Sequence, residues 1–127
     1  MKTYAKGYRF ERNMVHTLSK MGFMVLRAPR SGRIGLASPD VVAVKKIDGM
    51  SKVIALECKN RESAFTVSPE QLDELIEWRD IAGAECYIAW KCSRLEPVFI
   101  KLETVIGNRG NIGKKFALEH GISINEI

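Results

Sequence analysis

Residues 39–59 read PDVVAVKKIDGMSKVIALECK, and this stretch decides the fold. It contains two apolar runs, residues 41–44 and residues 53–56, each with the length and composition of a strand. Between them lies Asp48-Gly49, a pair that is typical of the turn in a tight β-hairpin. The apolar character of both runs indicates interior strands. The stretch therefore predicts an antiparallel pair of strands within a buried sheet.

Charged side chains stand at the ends of these two strands. Asp40 precedes the first run, and Glu57 and Lys59 close the second. The hairpin would bring Asp40 and Glu57 together, and strand alternation places Glu57 and Lys59 on the same face. Carboxylate oxygens suit Mg²⁺, which can activate water against a phosphodiester, and a lysine can neutralise the charge that develops on the phosphate. The pattern predicts a hydrolytic site.

A simpler interpretation is that Asp40 caps a turn and that Glu57 pairs with Lys59 on a solvated sheet face. Two observations count against it. Charged residues on interior strands need a reason, and Glu11 is a third acid in apolar surroundings. Glu11 falls within the apolar stripe of the helix predicted over residues 7–21, where a carboxylate is costly unless a partner compensates it.

The rest of the chain alternates between helical and strand patterns. Ser68 and Pro69 are typical of a helix start, Gln71 would complete a capping box with Ser68, and Gly83 ends this helix. The other predicted elements are a strand over 23–27, a loop over 28–38, strands over 86–90 and 97–100, and a short helix over 113–120. This order predicts an α/β or α+β domain with helices against a mixed sheet.

Length and composition fit one compact domain with a basic surface. The chain has 127 residues, 46% of them hydrophobic, and a formal net charge of +5, which favours an anionic partner such as nucleic acid. No apolar run is long enough to cross a membrane, and the first residues do not resemble a signal peptide. The three cysteines lack C-x-x-C spacing, so we expect neither disulfides nor zinc, and an intracellular, cytoplasmic protein.

Several of these motifs together resemble known nucleases. Pro39-Asp40 followed by Glu57-Cys58-Lys59 is similar to the P-D…(D/E)-x-K signature of the restriction-endonuclease-like superfamily. More narrowly, residues 6–102 resemble the archaeal-type Holliday-junction resolvases. That likeness is carried by Lys6-Gly7, Phe10-Glu11-Arg12, Arg27, the Arg/Ser/Gly loop, the helix that contains Gln71, and Gly83-Ala84.

The resemblance implies a restriction-endonuclease-like fold, with a central mixed sheet of about five strands flanked by helices. Residues 1–127 would be a single nuclease domain, with a core over 6–102 and a C-terminal extension over 103–127. The implied activity is paired, Mg²⁺-dependent cutting of opposite strands in a four-way DNA junction by a homodimer, with Mn²⁺ as an expected substitute. By position, Glu11, Asp40 and Glu57 would be the catalytic acids around the metal, and Lys59 the catalytic lysine.

The same resemblance points to residues that would contact DNA. Arg12 and Arg27 would contact phosphates or support the site, and the loop from Arg30 to Ser38 would be the mobile DNA-contacting segment. Either Ser31 or Ser38 could be its functional serine. The full set of DNA-binding candidates is Arg9, Arg12, Arg27, Arg30, Ser31, Arg33, Ser38 and Arg61.

Some alternatives remain open from the sequence. A solvated helix face explains Arg9 as well as DNA binding does. Gln71 could orient water or a metal ligand in a supporting role, although its capping role is favoured. The chain could also be another endonuclease of the same fold, of restriction or repair type, or a non-catalytic DNA-binding module.

Overall fold

The computed structural model describes residues 2–28 and 35–127. Its helices are α1 (Lys2–Lys20), α2 (Pro69–Ala82), α3 (Leu102–Gly107) and α4 (Lys114–His120), and a short 3₁₀ helix spans Ile124–Glu126. Its strands are β1 (Met24–Arg27), β2 (Val41–Ile47), β3 (Met50–Asn60), β4 (Phe65–Thr66), β5 (Glu85–Lys91), β6 (Val98–Lys101) and β7 (Asn111–Ile112). Within these described ranges, no helix is both long and apolar enough to cross a bilayer.

The central sheet has five strands in the order β1-β2-β3-β5-β6. Strands β3 and β5 run parallel, and the other neighbours are antiparallel, so the predicted mixed sheet is confirmed. The hairpin of β2 and β3 turns at Asp48 and Gly49, with φ of 52° and 81°. Two successive positive φ values are what a two-residue hairpin turn with native strand twist requires. The register pairs Val41 with Leu56. Asp40, the residue before Val41, therefore lies beside Glu57, the residue after Leu56.

Helices cover both faces of this sheet. The apolar stripe of α1, with Phe10, Met14 and Leu18, packs in one buried cluster with Val41, Ala43, Ile54 and Leu56. On the opposite face, Leu75 of α2 packs in a second cluster with Ala55, Ile88 and Ile100. Because β3 lies in the middle of the sheet with helices on both sides, its central residues, Glu57 among them, are removed from water.

The start and end of α2 follow the sequence signals. The Ser68 hydroxyl accepts a hydrogen bond from the Gln71 backbone N–H at 3.2 Å, and Pro69 occupies the first helical position. At the other end, Gly83 has a φ of 70°, and its N–H donates back to the last turn of α2. The predicted helix is confirmed, and its fixed ends determine which side chains face β3.

The chain after residue 102 contributes to the core. Val105, Ile112 and Ala117 are all buried in the same cluster as Leu75 of α2. Strand β7 pairs with β4 in a separate two-stranded sheet, and α4 confirms the short helix predicted over residues 113–120. The sequence-based interpretation of 103–127 as an extension missed this packing, because α3 is only a few residues long and its apolar pattern is short.

Gly110 provides a test of the packing between α3 and α2. It has a φ of +84°, and a Cβ at this position would lie 2.6 Å from the carbonyl oxygen of Val67. We expect Gly110→Ala to lower the free energy of unfolding by roughly 1–3 kcal/mol, from strain and steric conflict. The measurement is urea denaturation followed by circular dichroism.

Gly107→Ala is the matched control, since a Cβ added there would meet no neighbouring atom within 4 Å and its φ is ordinary. Equal stability of the two variants would contradict this account.

Candidate active site

Among residues 2–28 and 35–127, two acids are buried, and both belong to the three that the sequence singled out. Glu57 on β3 is 8% exposed, and Glu11 on α1 is 2% exposed. Both are held there by their apolar neighbours along the same element, which bury the backbone on either side. A buried carboxylate is unfavourable without compensating partners, so the contacts around each acid define the site.

Gln71 connects Glu57 with Lys59. Its Nε2 donates a hydrogen bond to Glu57 Oε2 at 3.0 Å, and its Oε1 accepts one from Lys59 Nζ at 3.0 Å. Lys59 Nζ lies 3.8 Å from Glu57 Oε2. The predicted common face of Glu57 and Lys59 is confirmed. The favoured capping role of Gln71 is correct only for its backbone N–H, because its side chain turns to the site instead of back to Ser68.

Asp40 is tied to the same strand. Its Oδ2 accepts a hydrogen bond from the backbone N–H of Cys58 at 2.8 Å, between Glu57 and Lys59 in the chain. The segment before it is also fixed, because Trp78 Nε1 of α2 donates to the Ala37 carbonyl at 3.1 Å. The expected approach of Asp40 to the end of β3 is therefore confirmed.

Glu11 reaches this region from α1. Arg27 Nε of β1 lies 3.8 Å from Glu11 Oε1, so the buried acid has a cationic neighbour. The Arg27 guanidinium also lies over the ring of Tyr8, 4.0 Å from its centroid, which fixes its direction. Arg27, a candidate for phosphate contact, is thus a half-buried residue that supports Glu11.

Burial and the neighbouring acids disfavour the charged form of Glu57. Burial raises the pKa of its carboxyl from 4.5 to about 8, and repulsion from Asp40 acts in the same direction. Lys59 opposes this shift, while Glu74 and Glu11 add to it. Sequence reasoning missed Glu74, although it follows Gln71 by three residues on α2 and helical spacing places both on one side.

These residues fit a divalent cation. Mutually repelling carboxylates in a buried setting gain from a positive charge, and carboxylate oxygens are the ligands that hard cations prefer. Within residues 2–28 and 35–127, no three acidic, histidine or cysteine side chains are close enough to form a closed ligand cluster. A site with fewer protein ligands still fits, because Mg²⁺ is commonly held by one or two carboxylates together with water and substrate phosphates.

Several cations that lie close to Glu11 and Glu57 along the chain are exposed. Arg9, Arg12 and Arg61 are exposed, and Ser38 lies exposed just before Asp40. Arg9 shares a shallow surface hollow with Asn60, Lys91, Ser93 and Arg94 near the end of β3. Lys91 and Arg94 were not predicted, because only the fold brings them beside α1. The candidates Arg30, Ser31 and Arg33 lie outside the described residues.

The known proteins that this chain resembles belong to one family. The family model for the archaeal Holliday junction resolvase (Hjc) matches residues 2–127. The chain is 33% identical over 89 residues to the crossover junction endodeoxyribonuclease Hjc of Methanocaldococcus jannaschii, covering 69% of this chain and 60% of the relative. It is 35% identical over 92 residues to the protein of that name from Archaeoglobus fulgidus, covering 71% and 64%. The matched regions thus span less than two thirds of these relatives.

A solved structure covers more of the fold. The 1.6 Å structure of Archaeoglobus fulgidus Hjc, a Holliday junction resolvase from an archaeal hyperthermophile, superposes with a TM-score of 0.79. The alignment has 28% sequence identity and covers 94% of this chain and 98% of that one. The restriction-endonuclease-like arrangement expected from the sequence therefore agrees with a family structure.

The raised pKa of Glu57 predicts a stabilising substitution. Because its folded pKa of about 8 lies above its ordinary value of 4.5, the charged carboxyl progressively destabilises the fold as pH rises through this window. We expect Glu57→Gln to be more stable than the unmodified protein in EDTA, by roughly 1–3 kcal/mol near pH 8. The gain should vanish below about pH 4.5.

Thermal unfolding of both proteins at several pH values across this range measures the difference in stability. Glu77→Gln is the matched control, since Glu77 is exposed on the same α2 helix that contacts Glu57. A Glu57→Gln protein that is less stable than the unmodified one at pH 8 would show that the carboxylate is well compensated.

Proposed function

The chain belongs to the archaeal Holliday junction resolvase family, and from this premise we propose that it is a metal-dependent endonuclease that makes paired cuts in opposite strands of four-way DNA junctions. The observation that carries the proposal is the Glu57–Gln71–Lys59 arrangement beside Asp40. A module that only bound DNA would gain nothing from acids placed close to a phosphate, because they repel it.

Asp40 and Glu57 are the proposed metal-holding acids, with Glu11 as the third member of the acidic set. Mg²⁺ is the proposed ion, and Mn²⁺ its substitute; when bound, the ion polarises the scissile phosphate and lowers the pKa of a bound water. Glu57 must give up its proton before it can act as a ligand, so metal affinity rises with pH. The Cys58 N–H keeps the Asp40 carboxylate directed at the end of β3.

Lys59 is the proposed catalytic cation. Its hydrogen bond to Gln71 directs the ammonium group toward Glu57, so its direction is set before substrate arrives. In this place it can hold the attacking water and neutralise charge on the phosphate as that charge develops in the transition state. Gln71 acts through its two neighbours, since its amide fixes both the lysine and the acid.

Junction DNA is the proposed substrate, recognised by shape and backbone charge. The exposed Arg9, Arg12 and Arg61 are proposed to contact its phosphates, and Arg27 lies beside Glu11 from β1. Arg30 and Arg33, with Ser31 or Ser38, are proposed to contact the phosphates near the branch point. A homodimer is the proposed working unit, because its two-fold symmetry matches that of the junction and supplies one site for each cut strand.

Asp40→Asn tests the assignment of the acids. We expect it to reduce cutting of a labelled four-way junction in Mg²⁺ by on the order of 100-fold or more, because a metal-holding oxygen loses its charge. Junction affinity should be unchanged or higher, since a charge that repels DNA is removed. Cleavage gels and binding in EDTA give the two readouts, and Asp73→Asn, an exposed acid on α2, is the control.

The same assay with a linear duplex of equal arm sequence separates the alternatives. Mg²⁺-dependent cuts in the junction only would support the resolvase. Cutting of the linear duplex would point to another endonuclease of this fold. Tight junction binding by the unmodified protein without any cutting would point to a non-catalytic module.

Lys59→Ala separates catalysis from metal binding. We expect the turnover of junction cutting to fall by roughly 100- to 1,000-fold, the effect of removing a group that stabilises transition-state charge. The Mg²⁺ concentration for half-maximal activity should change little, because an ammonium is not a metal ligand. Single-turnover rates over a Mg²⁺ titration give both values, with the exposed Lys101→Ala as control. A large rise in the Mg²⁺ requirement would contradict the assigned role of Lys59.

A further inference from the structure

The chain enters β2 through residues 37–40, which we call the entry segment. Ala37 is half-buried and Pro39 is buried, whereas Ser38 between them is exposed, so every second side chain faces the protein. This alternation is that of an extended backbone. Asp40, the last residue of the entry segment, is one of the acids of the candidate site. The position of its carboxylate therefore depends on what holds the entry segment.

The indole of Trp78 holds the start of the entry segment. Its Nε1 donates a hydrogen bond to the Ala37 carbonyl at 3.1 Å, from a position 41 residues further along the chain. The Trp78 ring packs against the buried cluster that contains Leu75 and Ile88, so the core fixes the direction of this donor. A hydrogen bond is directional, and a fixed donor therefore determines where the Ala37 carbonyl lies.

Pro39 makes the entry segment stiff. Its ring fixes its own φ, and it confines Ser38 to extended conformations. At the far end, the Asp40 carbonyl accepts a hydrogen bond from the Ala28 N–H at 2.9 Å. Few free rotations thus separate the Ala37 carbonyl from Asp40, so a displacement at the start of the segment is passed on to the Asp40 carboxylate.

Trp78 lies on the same face of α2 as Gln71. The two residues are seven positions apart, which is about two helical turns. Gln71 donates its side-chain hydrogen bond to Glu57, while Trp78 holds the segment that leads to Asp40. One helix face therefore contacts both sides of the site, the Glu57 side directly and the Asp40 side through the entry segment.

We propose that Trp78 is a positioning residue, whose indole N–H sets the spacing of the Asp40 and Glu57 carboxylates for a divalent cation. The inference rests on the proposed function, since it takes Asp40 as a metal-holding acid. Trp78 acts through Asp40 and takes no part in the chemistry itself.

Trp90 is the matched control for the loss of an indole donor. Its Nε1 also donates to a backbone carbonyl, that of Arg61, at 2.8 Å. Arg61 is held independently of this bond, because its own N–H donates to the Lys91 carbonyl at 3.1 Å and continues the pairing of β3 with β5. We expect Trp90→Phe to lower stability and to leave Asp40 in place.

Two substitutions separate the N–H of Trp78 from the bulk of its ring. Trp78→Phe keeps a six-membered apolar ring and has no donor, whereas Trp78→His loses that ring and keeps a ring nitrogen that can donate. If the indole only fills space, Trp78→Phe is the milder change in every measurement. If its N–H positions Asp40, Trp78→His is the milder change at Asp40, although it lowers stability more.

Amide exchange of Cys58 in the metal-free protein reports the position of Asp40, because the Cys58 N–H donates to Asp40 Oδ2. The measurement is NMR under strongly native conditions, where local opening controls exchange. We expect Cys58 to exchange on the order of 10-fold faster in Trp78→Phe than in the unmodified protein. Trp78→His and Trp90→Phe should change its exchange rate by less than about threefold.

Mn²⁺ binding, measured from the EPR signal of the free ion, gives a second readout that needs no cutting. We expect Trp78→Phe to weaken Mn²⁺ binding by roughly five- to tenfold, because the carboxylates are no longer correctly spaced. Asp40→Asn should weaken it as well. Adding Trp78→Phe to Asp40→Asn should cause no further loss, since the two residues act in series.

Unchanged Cys58 exchange in Trp78→Phe, or faster exchange in Trp78→His than in Trp78→Phe, would overturn the inference. Faster Cys58 exchange in Trp78→Phe, with unchanged Mn²⁺ binding in Asp40→Asn, would support the positioning of Asp40 by Trp78 and refute the metal-holding role proposed for Asp40. Weaker binding in Asp40→Asn, with an equal further loss on adding Trp78→Phe, would support that role and overturn the inference.

Discussion

The burial of Glu57 in the middle of the sheet is the constraint on which the candidate site depends. A carboxyl on the central strand, with α2 over it, can persist only if its environment supplies hydrogen bonds and charge. Lys59 supplies the charge from the same strand, and Gln71 supplies the hydrogen bond from α2. The contacts of Gln71 with Glu57 and Lys59 require that α2 lie at a fixed height over β3. The Ser68 cap sets that height, since it fixes the helical turn that carries Gln71. A local helix signal thus determines the geometry of a long-range site.

The sequence was sufficient wherever a local rule acted alone. Asp48-Gly49 specifies the hairpin, and the hairpin brings Asp40 to β3. Glu11 stood out because a charge interrupts an otherwise apolar helix stripe, and its burial explains that interruption. In both cases the short-range pattern and the tertiary fold require the same arrangement, as they must in a sequence that specifies one structure.

The sequence was insufficient where two distant segments meet. The Gln71 side chain had two hydrogen-bonding choices, one local and one across to β3, and only the packing of α2 decides between them. Lys91 and Arg94 lie far along the chain from Arg9, and the fold alone brings them to one hollow. The packing of α3 and β7 was missed for a related reason, because very short elements carry too few residues to show a period. Side-chain direction, more than element type, is what sequence patterns leave undetermined.

The electrostatics of the site and of its surroundings have opposite signs, and the proposed reaction needs both. A polyanionic backbone is repelled by the acids around Glu57, so the cations near the end of β3 must provide the attraction that brings DNA to the site. The repulsion that raises the pKa of Glu57 is the same repulsion that a divalent cation relieves. The cations Arg9, Arg12 and Arg61 lie on exposed side chains, whereas Glu57 and Glu11 are buried. Salt therefore screens the attraction for DNA far more than it screens the acids that would hold the metal, because buried charges are screened much less than exposed ones.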